Sequence, residues 1–168
     1  MKGGRWVQVA VAAAIFVVIN LVARAAVRLA GPPDDARDLT VAVWSLGTMG
    51  VAAGVIGFLW TRRERLGRVA ADLTVAVVTS ALVVTLVGPF VSGTTPFASG
   101  FTFFLLLLAA CVGVLSFGSA LGVMIATALG LDPKSRAWQA YARSVKLPKG
   151  AQRPGKSRTK PKTRTARR

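Results

Sequence analysis

The chain has 168 residues, of which 53% are hydrophobic, with a formal charge of +16 and a mean hydropathy of +0.55. That length allows one ordinary domain, and that hydropathy excludes a soluble one, so a membrane protein is expected. Histidine is absent and cysteine occurs once, at Cys111, which excludes bis-His haem ligation, His-based zinc sites, His acid–base chemistry and any intrachain disulfide or CxxC pair.

The first apolar run, Trp6 to Ala23, has eighteen uncharged residues. At about 1.5 Å per residue it measures about 27 Å, barely enough for a hydrocarbon core of about 30 Å. Lys2 and Arg5 precede it and Ala23-Arg24-Ala25 follows, a pattern shared with secretory signal peptides. The run is longer than a signal core of roughly 7–15 residues, so a retained helix is expected, with removal of residues 1–25 left open. Asn20, Arg24 and Arg28 repeat at i, i+4, i+8 and form one polar stripe. Two readings stand: an anion or lipid-phosphate contact in the outer leaflet, or arginines that snorkel to the interface and meet Asp34, Asp35 or Asp38.

The second run, Leu39 to Trp60, has twenty-two uncharged residues and ends on an indole suited to the headgroup layer. Gly47, Gly50, Gly54 and Gly57 share one of its faces. Glycine merely weakens a lipid-facing helix, whereas on a packed face it admits another backbone, so a helix contact is expected there.

The third run, Leu73 to Val91, follows Asp72 and contains Gly88-Pro89 near its end, where proline stops or kinks a helix. The fourth lies between Gly100 and Leu131. As one helix it would measure about 46 Å, so it is expected to tilt, protrude or begin late. Gly118, Gly122, Ala126 and Gly130 repeat every four residues along it, a small-residue ridge suited to close crossing.

Asp132 is placed to cap a helix whose first residue is Pro133. Trp138, Tyr141 and Val145 then share a face and are expected to anchor that helix in the headgroup layer. Beyond it, residues 148–168 hold Lys149, Arg153, Lys156, Arg158, Lys160, Lys162, Arg164, Arg167 and Arg168 with no acid and no aromatic residue. Disorder and contact with anionic lipid are expected for this segment.

These elements predict an all-α integral membrane protein with four transmembrane helices in an antiparallel bundle, at about 6–30, 39–60, 73–91 and 101–131. An amphipathic interfacial helix over 132–147 and a disordered basic tail over 148–168 complete the expected architecture. Orientation follows from loop charge. The loop between the second and third spans carries Arg62, Arg63, Arg65 and Arg68, while the first loop carries three Asp and one Arg and the third carries no charge. Both termini are therefore expected on the cytoplasmic side of an inner (cell) membrane.

Between Leu39 and Leu131 the only charges lie within Arg62 to Asp72. Mid-membrane ionisable groups of the kind that mark proton relays and ion-coupled carriers are missing. Hydroxyls such as Thr79, Ser80, Thr85, Ser116 and Ser119 are expected to bond back to helix carbonyls. P-loop, GxSxG, HExxH and paired-carboxylate patterns are absent, so neither catalysis nor a cofactor is expected.

The partners expected are the bilayer itself and anionic phospholipid headgroups, with another membrane protein or a second copy engaged through the glycine faces. Nucleic acid is disfavoured, because the tail has nothing to stack on bases. The Ala/Val/Gly/Arg-rich usage resembles that of membrane proteins of high-GC bacteria, a likeness of composition that transfers no function. The reading reached is an interaction or accessory component of the membrane. One alternative is a pore-former: the several spans and charged basic tail resemble phage holins, although 168 residues and four spans are large for that class and a polar pore-lining face is lacking. The other is a small transporter working as an oligomer.

Overall fold

The computed structural model describes residues 3–31 and 35–144. They form α1 (Gly3–Leu29), α2 (Asp35–Thr61), α3 (Leu66–Val91), α4 (Phe101–Ala128) and α5 (Pro133–Ser144), and no strand occurs among them. The first four helices are each long and apolar enough to cross a membrane. Their outer surfaces leave Val7, Val18, Val22, Leu106, Phe117 and Met124 more than half exposed, a surface matched to lipid rather than to water.

The start of α3 and the end of α4 differ from the expected boundaries. Helix α3 starts at Leu66 rather than Leu73, because Arg65 is extended and the added turns have their own burial, with Val69 1% and Leu73 6% exposed. The basic loop thereby shortens to residues 62–65. Pro89 lies inside α3, which continues to Val91; so close to the end, the missing proline N–H removes only one bond of the ladder. Helix α4 begins at Phe101 and stops at Ala128 rather than at 131. Its stop is a Schellman turn, in which Leu131 N donates to Ala126 O over 3.0 Å and Gly130 takes a positive φ of 65°.

Helices pack mainly in two pairs, α2 against α4 and α1 against α3. At the start of α1, Arg5 Nε donates to both carboxylate oxygens of Asp72 on α3 at 2.9 Å. Towards the end of α1, Arg24 reaches Ser92 and Arg28 reaches Val91 O. The register rises together on both helices, so α1 and α3 run in the same direction. The same holds for α2 and α4, where Gly50 and Gly54 face Gly118 and Gly122. The centre is filled by Phe16, Met49, Ala53, Val77, Ala81, Val84, Cys111 and Leu115.

Buried hydroxyls mostly return to their own helix: Thr61 Oγ1 donates to Gly57 O at 2.7 Å, Ser80 Oγ to Val77 O at 3.0 Å and Thr85 Oγ1 to Ala81 O at 2.8 Å. Ser119 departs from that expectation. Its Oγ is buried without a hydrogen-bond partner among the described residues, on a turn of α4 whose backbone packs against Gly57 of α2.

Candidate anion site between the helix ends

The helical spacing of Asn20, Arg24 and Arg28 puts all three on one face of α1, and the fold turns that face towards the start of α2 and the end of α3. Arg24 lies five residues before Leu29, about 7.5 Å below the end of its helix. Its Nε donates to Asn20 Oδ1 at 2.8 Å and its Nη1 to Ser92 Oγ at 3.3 Å. Asn20 is 6% exposed, so its amide is a fixed support rather than a surface group. Arg28 Nη1 donates to Val91 O at 3.0 Å.

Gly88 makes room for this arrangement. A Cβ there would stand 2.7 Å from Arg24 Nε and 2.9 Å from its Cζ, so the guanidinium rests against the backbone of α3. From α2 comes Arg37, whose Nη1 donates to Ala30 O at 3.1 Å and whose Nε lies 3.7 Å from Asp38 Oδ1. These groups line a cavity of about 470 Å³ together with Ser45 and Thr94.

Among the described residues the lining holds three guanidinium groups and one carboxylate. Arg24 spends two of its five N–H donors on the bonds above and Arg28 spends one. Planar guanidinium forks match carboxylate and phosphate oxygens in paired fashion. The chemistry on offer is the holding of an oxyanion.

Of the acids expected to meet the stripe, Asp34 and the side chain of Asp35 lie outside the description. Asp38 pairs with its neighbour Arg37 instead. Arg37 and Ser92 were not singled out by sequence reasoning, and Gly88 only as the neighbour of Pro89, since only the fold brings them to the stripe.

The glycine faces meet each other within the chain. A Cβ on Gly118 would stand 3.1 Å from Gly50 Cα and overlap the Gly50 carbonyl oxygen, and one on Gly122 would do the same at Gly54, 3.0 Å from its Cα. Gly57 is packed against Ser119 O, 2.7 Å from where its Cβ would be, and Ala126 is fully buried. Two expected packing glycines take other places. Gly47 has open space where its Cβ would stand. Gly130 lies beyond α4, terminating it.

Trp138 and Tyr141 stand edge to face on α5, ring centroids 6.2 Å apart and both mostly exposed. Asp132 Oδ2 accepts from Ser135 N at 3.0 Å and caps that helix. Val145 and the basic residues from Lys149 to Arg168 lie outside the described residues. No family model, curated protein or solved structure matches the chain.

Proposed function

We propose that the chain is a multi-pass component of an inner (cell) membrane, an antiparallel four-helix bundle that serves as an interaction or accessory protein and carries out no catalysis. Its basic face lies on the cytoplasmic side, where α5 rests in the headgroup layer and the tail from Lys149 to Arg168 contacts anionic phospholipid, or an acidic partner in competition with it.

The observation that carries this reading is the excess of positive charge at one end of the helices. Arg5 meets Asp72, and the loop holding Arg62, Arg63 and Arg65 lies beside Gln8 and Trp60. Helix α4 follows α2 towards that same end before the chain passes to α5. Nine further Lys or Arg lie between Lys149 and Arg168. Each cation near an anionic leaflet contributes about 1 kcal/mol within a Debye length of about 8 Å. This reading is preferred to a holin-like pore or a transporter because Phe16, Met49 and Leu115, none of them exposed, fill the centre where a water path through one chain would run.

A peptide of residues 149–168 tests the tail. It is expected to bind vesicles containing anionic lipid at low ionic strength, to leave them as salt nears about 1 M, where the Debye length is about 3 Å, and to ignore neutral vesicles. Retention of one protein partner at high salt would make the segment a specific dock instead of a lipid contact.

A further inference from the structure

We infer that the cavity between α1, α2 and the end of α3 is a binding site for a phosphate group, carried by an anionic phospholipid headgroup or free in solution. This goes beyond the tail contact, since it uses different residues at the opposite end of the helices.

Charge is the first argument. Arg24 and Arg28 face the cavity, and neither bonds a carboxylate among the described residues. Guanidinium groups drawn partly out of water are costly unless an anion answers them. Arg24 is half-buried, yet among the described residues its bonded partners are Asn20 and Ser92, neither of them an acid.

Preorganisation is the second. Asn20 and Ser92 hold Arg24 from two helices' worth of backbone, and Val91 O holds Arg28. Gly88 lets the Arg24 guanidinium lie flat on α3. A planar fork fixed in this way loses little freedom on meeting an oxyanion. Size is the third: about 470 Å³ falls within the roughly 300–1,000 Å³ typical of ligand pockets.

Position favours a headgroup as the carrier. The site lies about 7.5 Å inside the end of α1, at interfacial depth for a spanning helix. Val27 on α1 and Val41 on α2 line the cavity itself and offer apolar surface to acyl chains. The guanidinium groups of Arg24 and Arg28 also disfavour zwitterionic lipid, whose own cation they would repel.

The test uses the full chain, purified in neutral detergent and stripped of lipid, with the thermal midpoint followed by Trp fluorescence. Titrations with phosphatidylglycerol, phosphatidylcholine and inorganic phosphate are run at about 1 M salt, where exposed tail contacts are screened. Two variants accompany the wild type. Asn20→Asp places a carboxylate where the amide already bonds Arg24, answering that guanidinium from within the chain with almost no change of shape. Arg28→Gln removes one exposed cation and leaves the core untouched.

The wild type is expected to be stabilised by phosphatidylglycerol and not by phosphatidylcholine, with apparent affinity at least tenfold weaker in Asn20→Asp and severalfold weaker in Arg28→Gln. A response confined to phosphatidylglycerol supports the headgroup as carrier. A response to inorganic phosphate that Asn20→Asp abolishes supports the same site with a soluble ligand. Equal affinity of wild type and both variants for phosphatidylglycerol, or no response to either phosphate source, overturns the inference.

Discussion

Gly118 on α4 lies so close to Gly50 on α2 that a Cβ on the first would overlap the carbonyl oxygen of the second. Backbone touches backbone at this point, and the same contact recurs one turn later between Gly122 and Gly54. Without a hydrophobic drive between helices in lipid, close packing of this kind supplies the association.

The crossing predicts a graded series of alanine substitutions. Gly118→Ala and Gly122→Ala meet backbone that cannot swing aside, and each should cost on the order of 1–3 kcal/mol, as overpacking does. Gly54→Ala, whose Cβ would stand 3.1 Å from Gly118 O, should cost less. Gly47→Ala and Gly113→Ala have open space and should be neutral or gain up to about 1 kcal/mol of helix propensity. Unfolding in mixed micelles reads the order. Equal effects at Gly122 and Gly47 would mean that α2 and α4 do not cross here.

Coupling between Gly88 and Arg24 is the second prediction. A methyl at position 88 must push the guanidinium away, so Gly88→Ala should destabilise the wild type and do so much less in an Arg24→Ala background. A double-mutant cycle should give a coupling of about 1 kcal/mol, within the roughly 0.5–3 kcal/mol found for residues in contact. Additivity of the two substitutions would show that the side chain lies elsewhere.

The turn between α4 and α5 offers a third. Gly130 has a φ of 65°, a conformation that costs an L-residue with a Cβ about 1–2 kcal/mol. Gly130→Ala should lower stability by about that much. Asp132→Ala, which removes the cap on Ser135 N, should cost about 0.5–2 kcal/mol. Both are read as shifts in the unfolding midpoint, and a neutral Gly130→Ala would argue for a continuous helix from α4 into α5.

Much of this fold was legible because membrane spans are written in composition: a run such as Leu39 to Trp60 has no other stable use. The glycine faces were legible as well, since a four-residue spacing is one helical stripe. Pairing was not. Nothing local says that Gly54 meets Gly122, or that Gly47 on the same stripe is left in open space, because which residues of a stripe meet depends on how two helices cross. The early start of α3 was hidden for a similar reason. Arg68 and Asp72 interrupt the apolar run, yet Val69 and Leu73 supply the burial that carries the helix back to Leu66. At the candidate site the Asn20, Arg24, Arg28 stripe was visible by periodicity. Arg37 and Ser92 were not, since they arrive from α2 and the segment after α3.

Orientation of the basic face is the claim on which the functional reading turns, and a reporter active only in the cytoplasm tests it most directly. Fused after Arg65 or after Arg168 it should work, and fused after Asp35 or after Thr95 it should fail, as the arginines of residues 62–68 and the uncharged segment of residues 92–100 require. A reporter that works after Thr95 and fails after Arg65 would contradict the account, placing the arginine-lined cavity on the inner side and the basic tail on the outer one.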